Sequence, residues 1–354
     1  AIELGTTMKA IMKKVAGPGL SLEEVEKPTN LGPRDVLIRV RRASICGTDI
    51  HIYEWNEWAQ SKIRPPMITG HEMAGEVVAI GSAVTRVKVG DVATTETHIP
   101  CETCYQCRTG RMHVCKNLKI LGVDRDGIFA EYAVIPETVL WKFSPEIPLD
   151  YASVMEPFGN AIHTVSSTNL LGKTVLISGA GPIGLMAIQV AKVGGATTVI
   201  VSEVDPFRIE MAKNNGADVV INPMEKDLVK EVYSQLDDGV DVLFEMSGSK
   251  KALEDGLKCV TMGGETAVLG LFGKKIDIDF DSLITMRGIT VHGITGRRMF
   301  QTWRIADELL RTKKVDLSKV VTHVLPFEEW DKGFELMLNK KCGKVVLNLD
   351  TISR

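Results

Sequence analysis

Four of the chain's seven cysteines fall within fifteen residues, CETCYQCRTGRMHVC (101–115), spaced C-x2-C-x2-C-x7-C. A ferredoxin run would place its fourth cysteine after three residues and follow it with proline. Here the gap is seven, and Lys116 follows Cys115. Four thiolates suit a tetrahedral ion instead. With Zn–S bonds of about 2.3 Å the sulfurs stand roughly 3.8 Å apart, a span that C-x2-C turns reach. Cys101, Cys104, Cys107 and Cys115 are therefore expected to hold one zinc ion with no open position, a structural site. An odd cysteine count in a long chain fits metal-bound thiolates in a reducing cytoplasm better than a disulfide framework.

A reactive metal then belongs elsewhere. The stretches ASICGTDIHIYEWNEW and ITGHEMAGEV offer Cys46 and His71, and Glu72 and Glu156 (in VMEPFGNA) are the carboxylates at hand. Three protein ligands plus a displaceable water is the usual catalytic arrangement. Taken singly, each residue has an ordinary structural use: a buried thiol packs as a small hydrophobe, and a glutamate serves a turn. The metalloprotease pattern is excluded, because Gly75 stands where H-E-x-x-H needs its second histidine.

A second kind of chemistry is written in SGAGPIG, which sets Gly179, Gly181 and Gly184 in the pattern G-x-G-x-x-G. Alone the pattern is weak. Here it follows an apolar strand, opens a helix, and is answered by Glu203, nineteen positions after Gly184 at the end of the next strand. That context defines a dinucleotide site. Gly179 permits the tight turn, Gly181 lets the backbone approach the pyrophosphate, and Gly184 lets helix and strand pack closely, with the helix N-terminus facing the phosphates. A carboxylate at Glu203 accepts both ribose hydroxyls of NAD and repels the extra phosphate of NADP. Arg208 pulls the other way, since an arginine near this place can welcome that phosphate; the carboxylate at the strand terminus favours NAD.

The elements that must position these groups come in two styles. Up to about residue 155 the chain reads as β: DVLIRVRRASIC (35–46), MAGEVVAIG (73–81), FAEYAVIP (129–136) and a strand after the turn at Gly90-Asp91 are short runs rich in β-formers. A small barrel-like β domain with long loops is expected. From about 173, TVLISG, a helix PIGLMAIQVAKVGG and TTVIVSE begin an alternation that runs to ITVHGIT (289–295), a sixth strand. Continuous apolar strands alternating with amphipathic helices predict a parallel sheet covered on both faces. The tail then reads as helix, strand, helix and strand, returning to the β domain. The expected boundaries are 8–156 with a cysteine lobe at 98–116, then 157–296 and 297–354. Met8 reads as a natural start, with Ala1–Thr7 as a vector-derived leader.

A formal charge of −3 over 354 residues gives no reason to expect nucleic acid or anionic lipid. No window holds the run of apolar residues that a membrane span needs, and the start lacks the features of a signal peptide. A cytoplasmic location is expected.

GHEMAGEVVAIGSAV (70–84) fits G-H-E-x2-G-x5-G-x2-V over its full length. With SICGTDIH, the four-cysteine lobe and GAGPIG, the chain resembles the zinc-dependent medium-chain dehydrogenase/reductase family from about Met8 to its end. The resemblance implies a GroES-like catalytic domain joined to a Rossmann domain, and a homotetramer. It implies a catalytic zinc surrounded by Cys46, His71, Glu72 and Glu156, leaving open whether Glu72 or Glu156 ligates, and one structural zinc on the four clustered cysteines. Thr48 and His51 would relay the proton to solvent. Ile183, Leu269, Gly270, Leu271, Ile294 and Thr295 would line the cofactor. Within the family, ICGTDIHIYEWNEWAQ, VMEPFGNA and HGITGR imply a small amino-acid substrate, with oxidation of the β-hydroxyl of L-threonine to 2-amino-3-oxobutanoate by NAD. A polyol or diol dehydrogenase is the alternative. A non-catalytic nucleotide-binding protein stands behind both, since it leaves Cys46, Thr48, His51 and His71 unexplained as a set. His98, just before the lobe, is a candidate substrate contact.

Overall fold

The computed structural model describes residues 5–353. Of the expected leader, residues 1–4 lie outside the described residues, while Thr7 already pairs with Glu26 in the first strand, Thr7–Lys13. The chain divides into two compact units: residues 1–156, 298–307 and 321–354 form one, and 157–297 with 308–320 form the other.

The first unit is built around the long strand Asp35–Ile45, whose apolar residues Val36, Ile38, Val40 and Ile45 are buried. One edge of it pairs antiparallel with Glu72–Ile80, through two register shifts. The other edge is shared: Asp35–Arg39 pairs with Tyr132–Pro136, and Arg42–Ile45 with the chain's last strand, Lys344–Asn348. The expected return of the tail is thus a strand inserted into the β domain. It is held from outside by Asp350, whose carboxylate accepts from Arg41 and Arg42. Burial opposes its charge, but the two guanidiniums draw its pKa down to about 2. Seven strands make this sheet, and Thr7–Lys13, Ser21–Glu26 and Met67–Ile68 make a second.

The expected strand 129–136 is shorter than its apolar run: Phe129 and Ala130 are core residues outside it, with Ala130 in a single bridge to Ala10. The stretch after Cys46, to which the sequence assigned no element, forms helices Gly47–Glu54 and Glu57–Lys62, capped by Cys46 and Asn56.

The second unit carries a parallel sheet of six strands. Numbered by sequence within that sheet their order is 3-2-1-4-5-6, with Thr174–Ser178 and Val240–Glu245 at the centre. Their burial is almost continuous, as a sheet covered on both faces requires. This is the doubly wound order whose ligands bind beyond the carboxyl ends of the strands, where the strand order reverses. The sixth strand, Thr290–Gly293, is at the edge, pairing only with Val260–Val268, and is largely exposed. No helix among the described residues is long and apolar enough to cross a membrane.

Candidate metal centres and dinucleotide site

Three neighbouring strand ends create the first centre. In register, Ser44 lies opposite Glu72, and Ile45 lies opposite Val345. Cys46 therefore leaves the sheet beside Glu72 and beside Lys344. Gly70 sets the approach of His71: its φ is +90°, and a Cβ there would stand 2.4 Å from the Phe129 ring, so only glycine lets this turn lie flat on the core.

The donors meet at the His71 ring. His71 Nε2 is 3.2 Å from Cys46 Sγ, 3.6 Å from Glu72 Oε2 and 3.6 Å from Glu156 Oε2. Glu156 comes from the first turn of the helix Met155–Ser166, an element not expected from the sequence. Such separations match ligands about 2.0–2.3 Å from a shared tetrahedral ion. Burial disfavours a charged His71, yet Cys46, Asp49 and Glu156 raise its pKa well above the ordinary value. The pocket is anionic, the complement of a divalent cation. A soft thiolate, an imidazole and carboxylates suit zinc, so the donor set fits the metal.

Asp49 and Lys344 were not anticipated. Asp49 caps its own helix by accepting from Cys46 N (2.9 Å), and its other oxygen faces His71 Nδ1 at 3.9 Å. Neither of those two facing atoms has a hydrogen-bond partner. A carboxylate behind a ligating histidine fixes the ring and its tautomer. Burial pushes the Asp49 pKa up to about 6. Spacing carried a signal for it, since Cys46-x-x-Asp49 is a capping-box interval. Lys344 had none: a lysine opening an apolar strand reads as an exposed end, yet its ammonium is buried and bonds Glu72 Oε1 at 2.7 Å and Ile45 O at 2.8 Å. Although burial opposes both charges, the pair holds Lys344 above and Glu72 below their ordinary pKa ranges.

Thr48 and His51 lie on Gly47–Glu54, three residues apart and so on one helical face. Thr48 is half-buried, with its N–H donating to Cys46 Sγ (3.3 Å), and His51 is exposed, its ring 6.4 Å from that of Trp58. His98 lies on the short strand His98–Ile99, paired with Lys119–Ile120.

In that lobe Cys101, Cys104, Cys107 and Cys115 bring their sulfurs within 4.8 Å of one another. The Cys104–Cys115 separation is 3.7 Å, close to the spacing of a tetrahedral zinc site and far beyond a disulfide bond. Backbone N–H groups point at the sulfurs: Cys104 N at Cys101 Sγ, and Cys101 N and Asn117 N at Cys115 Sγ, each 3.3 Å. The Thr103 and Asn117 side chains assist, and Cys101 is drawn down to about 5, chiefly by Thr103. Donors arranged around thiolates are what a closed metal site needs. All seven cysteines are free thiols.

In the second unit, Gly179 takes φ +95°, and a Cβ there would press on Ser247 at 2.9 Å. Gly181 caps the helix Pro182–Val193, and a Cβ added to it would meet nothing within 4 Å, leaving room for a ligand against the backbone. At Gly184 a Cβ would lie 2.1 Å from Gly179 O. Glu203 is buried at the end of Thr198–Ser202, and its carboxylate accepts from Ala180 N, Val204 N and Asp205 N. It braces the glycine turn. Arg208 lies in the first turn of Pro206–Asn214, half-buried. Ile183, Leu269 and Gly270 are half-buried, Ile294 buried, and Leu271 and Thr295 exposed. The geometry fits a dinucleotide.

Gly184→Ala should raise the Kd for NADH about tenfold or more, since overpacking costs about 1–3 kcal/mol, while the metal content stays unchanged. Titration of NADH fluorescence checks it; an unaltered Kd would contradict the close packing.

A β domain with a thiol–imidazole–carboxylate cluster and a closed four-thiol lobe, on a chain with a dinucleotide-binding sheet, defines a class. Residues 32–146 match the alcohol dehydrogenase GroES-like domain, and residues 182–312 match the zinc-binding dehydrogenase family. The chain belongs to the zinc-binding dehydrogenases. It is 54% identical to L-threonine 3-dehydrogenase of Pyrococcus horikoshii over 97% of this chain and 99% of that one. Its fold is similar to an alcohol dehydrogenase of Escherichia coli complexed with the cofactor NADH (TM-score 0.89, 29% identity, covering 98% and 100% of the two chains). A 2R,3R-butanediol dehydrogenase from Bacillus subtilis is also similar (TM-score 0.87, 28% identity, covering 96% and 99%).

Proposed function

We propose that the protein oxidises the β-hydroxyl of L-threonine to 2-amino-3-oxobutanoate with transfer of hydride to NAD, a step of amino-acid catabolism in the cytoplasm. The observation that carries this reading is the approach of both Cys46 and Glu156 to the His71 ring, with Thr48 bonded to the Cys46 sulfur, in a chain 54% identical to an L-threonine 3-dehydrogenase over nearly its whole length.

Cys46, His71 and one of Glu72 and Glu156 would hold a catalytic zinc, and the four lobe cysteines a structural one. When bound, the catalytic zinc supplies Lewis acidity toward the substrate hydroxyl, and NAD supplies the hydride acceptor. Asp49 orients the two ligands it faces. Thr48 receives the hydroxyl proton, and His51, one helical turn on, carries it from the half-buried to the exposed end of the same face. The unit of residues 1–156, 298–307 and 321–354 is read as catalytic, and that of 157–297 with 308–320 as the nucleotide domain. There Gly179, Gly181 and Gly184 receive the pyrophosphate, and Glu203 selects NAD over NADP. Ile183, Leu269, Gly270, Leu271, Ile294 and Thr295 line the nucleotide. The edge strand Thr290–Gly293, with Val291 exposed, supports self-association by strand pairing, in keeping with a homotetramer.

NADH production with threonine, serine, sorbitol and 2,3-butanediol tests the substrate. Threonine should be turned over with the highest kcat/KM. Brisk oxidation of the diol with none of threonine would replace this reading by the polyol or diol one.

A further inference from the structure

Lys13 ends the first strand, opposite Met67, a place where a lysine usually reaches solvent; here it is 1% exposed. Burial draws its pKa down to about 8, and no carboxylate opposes the shift, so the group is still an ammonium at neutral pH. Carbonyls and an aromatic face stand where a counter-ion would. The Nζ donates to Gly17 O and Gly19 O and lies 5.0 Å from the centre of the Trp55 ring. Gly17 and Gly19 take φ +150° and +97° on either side of Pro18, backbone states open to glycine that let both carbonyls serve one donor. A desolvated cation over an indole is among the stronger contacts of its kind.

These contacts meet at the end of the helix Gly47–Glu54. Trp55 closes it in the left-handed region (φ +60°), an unfavourable state for a residue with a side chain, and its N–H donates to His51 O at 3.0 Å. The Gly19 N–H donates to Tyr53 O at 2.7 Å, so the turn that Lys13 gathers also caps the helix. A positive group at this end suits the helix dipole. The helix has eight residues with little segregation of apolar from polar, and helices this short are marginal without tertiary support. Its last turn is the one that carries His51.

We propose that Lys13 is a positioning residue of the proton relay: its buried ammonium locks the Gly17–Gly19 turn and Trp55 onto the end of the helix, and so holds His51 on the face that Thr48 begins. This rests on the reading of Thr48 and His51 as a relay. Without the ammonium, Gly17 O and Gly19 O lose their shared donor and the Trp55 ring its cation. The left-handed residue that closes the helix on His51 O is then held by less, and the last turn frays. Trp55 also joins this helix to the next, its carbonyl accepting from Gln60 Nε2 at 2.9 Å, and that second helix carries the Trp58 ring against His51. The clamp therefore reaches the imidazole through its backbone and through its aromatic neighbour.

The test uses the full-length holoenzyme and the rate of NADH formation in its first turnover, which reads the chemical step apart from product release. His51→Gln is measured first and should lower that rate about tenfold or more, as the loss of a proton carrier requires. A wild-type rate there would overturn the relay itself and the role of Lys13 with it. Lys13→Met, which keeps the length and removes the charge, should fold, bind NADH with an unchanged Kd, and lower the rate severalfold with the KM for threonine unaltered. Added to His51→Gln, it should change the rate no further, because both act through one imidazole. A wild-type rate in Lys13→Met, or an equal loss in the two backgrounds, would overturn the proposal alone and leave the relay standing. If Lys13→Met fails to fold, Trp55→Leu carries the test, since it leaves Lys13 its carbonyls and takes away the ring. It must slow the first turnover in the wild-type background and not beside His51→Gln; any other result refutes the proposal.

Discussion

Cys46→Ser is expected to give a folded protein with one metal ion per chain instead of two, and with kcat lowered by roughly three orders of magnitude or more. The size follows from the Lewis-acid contribution, which is several kcal/mol, at about 1.4 kcal/mol per tenfold in rate. The fold should survive because Cys46 stands outside the sheet as the first cap of a short helix, and a serine oxygen caps at least as well as sulfur. Serine does not replace the thiolate as a zinc ligand. Metal analysis, the circular dichroism spectrum and threonine-dependent NADH formation together check the result. Full activity in the variant would remove the catalytic centre from Cys46.

Cys104→Ser should do the opposite. Cys104 is buried in the lobe with its sulfur 3.7 Å from that of Cys115. The other supports of the lobe include one pair of two-residue strands, two short helical turns, and the bonds that the Glu102 carboxylate accepts from Arg34 and Thr138. A structural zinc contributes on the order of 10 kcal/mol of folding free energy in peptides built around it. Losing even a third of that would lower Tm by roughly 10 °C, at 2–4 °C per kcal/mol for a unit of this size. One metal ion per chain should again be lost, this time with threonine oxidation retained below the new midpoint. A Tm within about two degrees of wild type would mean that the four thiolates do not close a structural site.

The contrast between these variants tracks how each site is written in the chain. The lobe ligands sit within fifteen residues, so spacing alone bounds the sulfur separations, and the observed 3.7 Å agrees with what tetrahedral zinc demands. The glycine turn is equally local, as are the alternating strands and helices that frame it. The first centre is not local. Its residues run from Ser44 to Lys344, and each has an ordinary use when read alone. Only the resemblance to known dehydrogenases grouped Cys46, His71, Glu72 and Glu156, and it did not reach Asp49 or Lys344. The helix after Cys46 was missed because its apolar and polar residues show almost no segregation around the axis. Its caps, not its periodicity, make it a helix.

What the order of residues determined by itself was everything set by short-range geometry: the closed four-thiol lobe, the glycine turn with its acidic partner, and the alternation that makes a doubly wound sheet. Tertiary structure alone decided which distant groups share one buried volume. Strand register carries that decision. A step of one residue between Asp35–Ile45 and Lys344–Asn348 would turn every side chain of one strand to the opposite face. It would separate the ammonium of Lys344 from the carboxylate of Glu72, and no local pattern encodes that alignment.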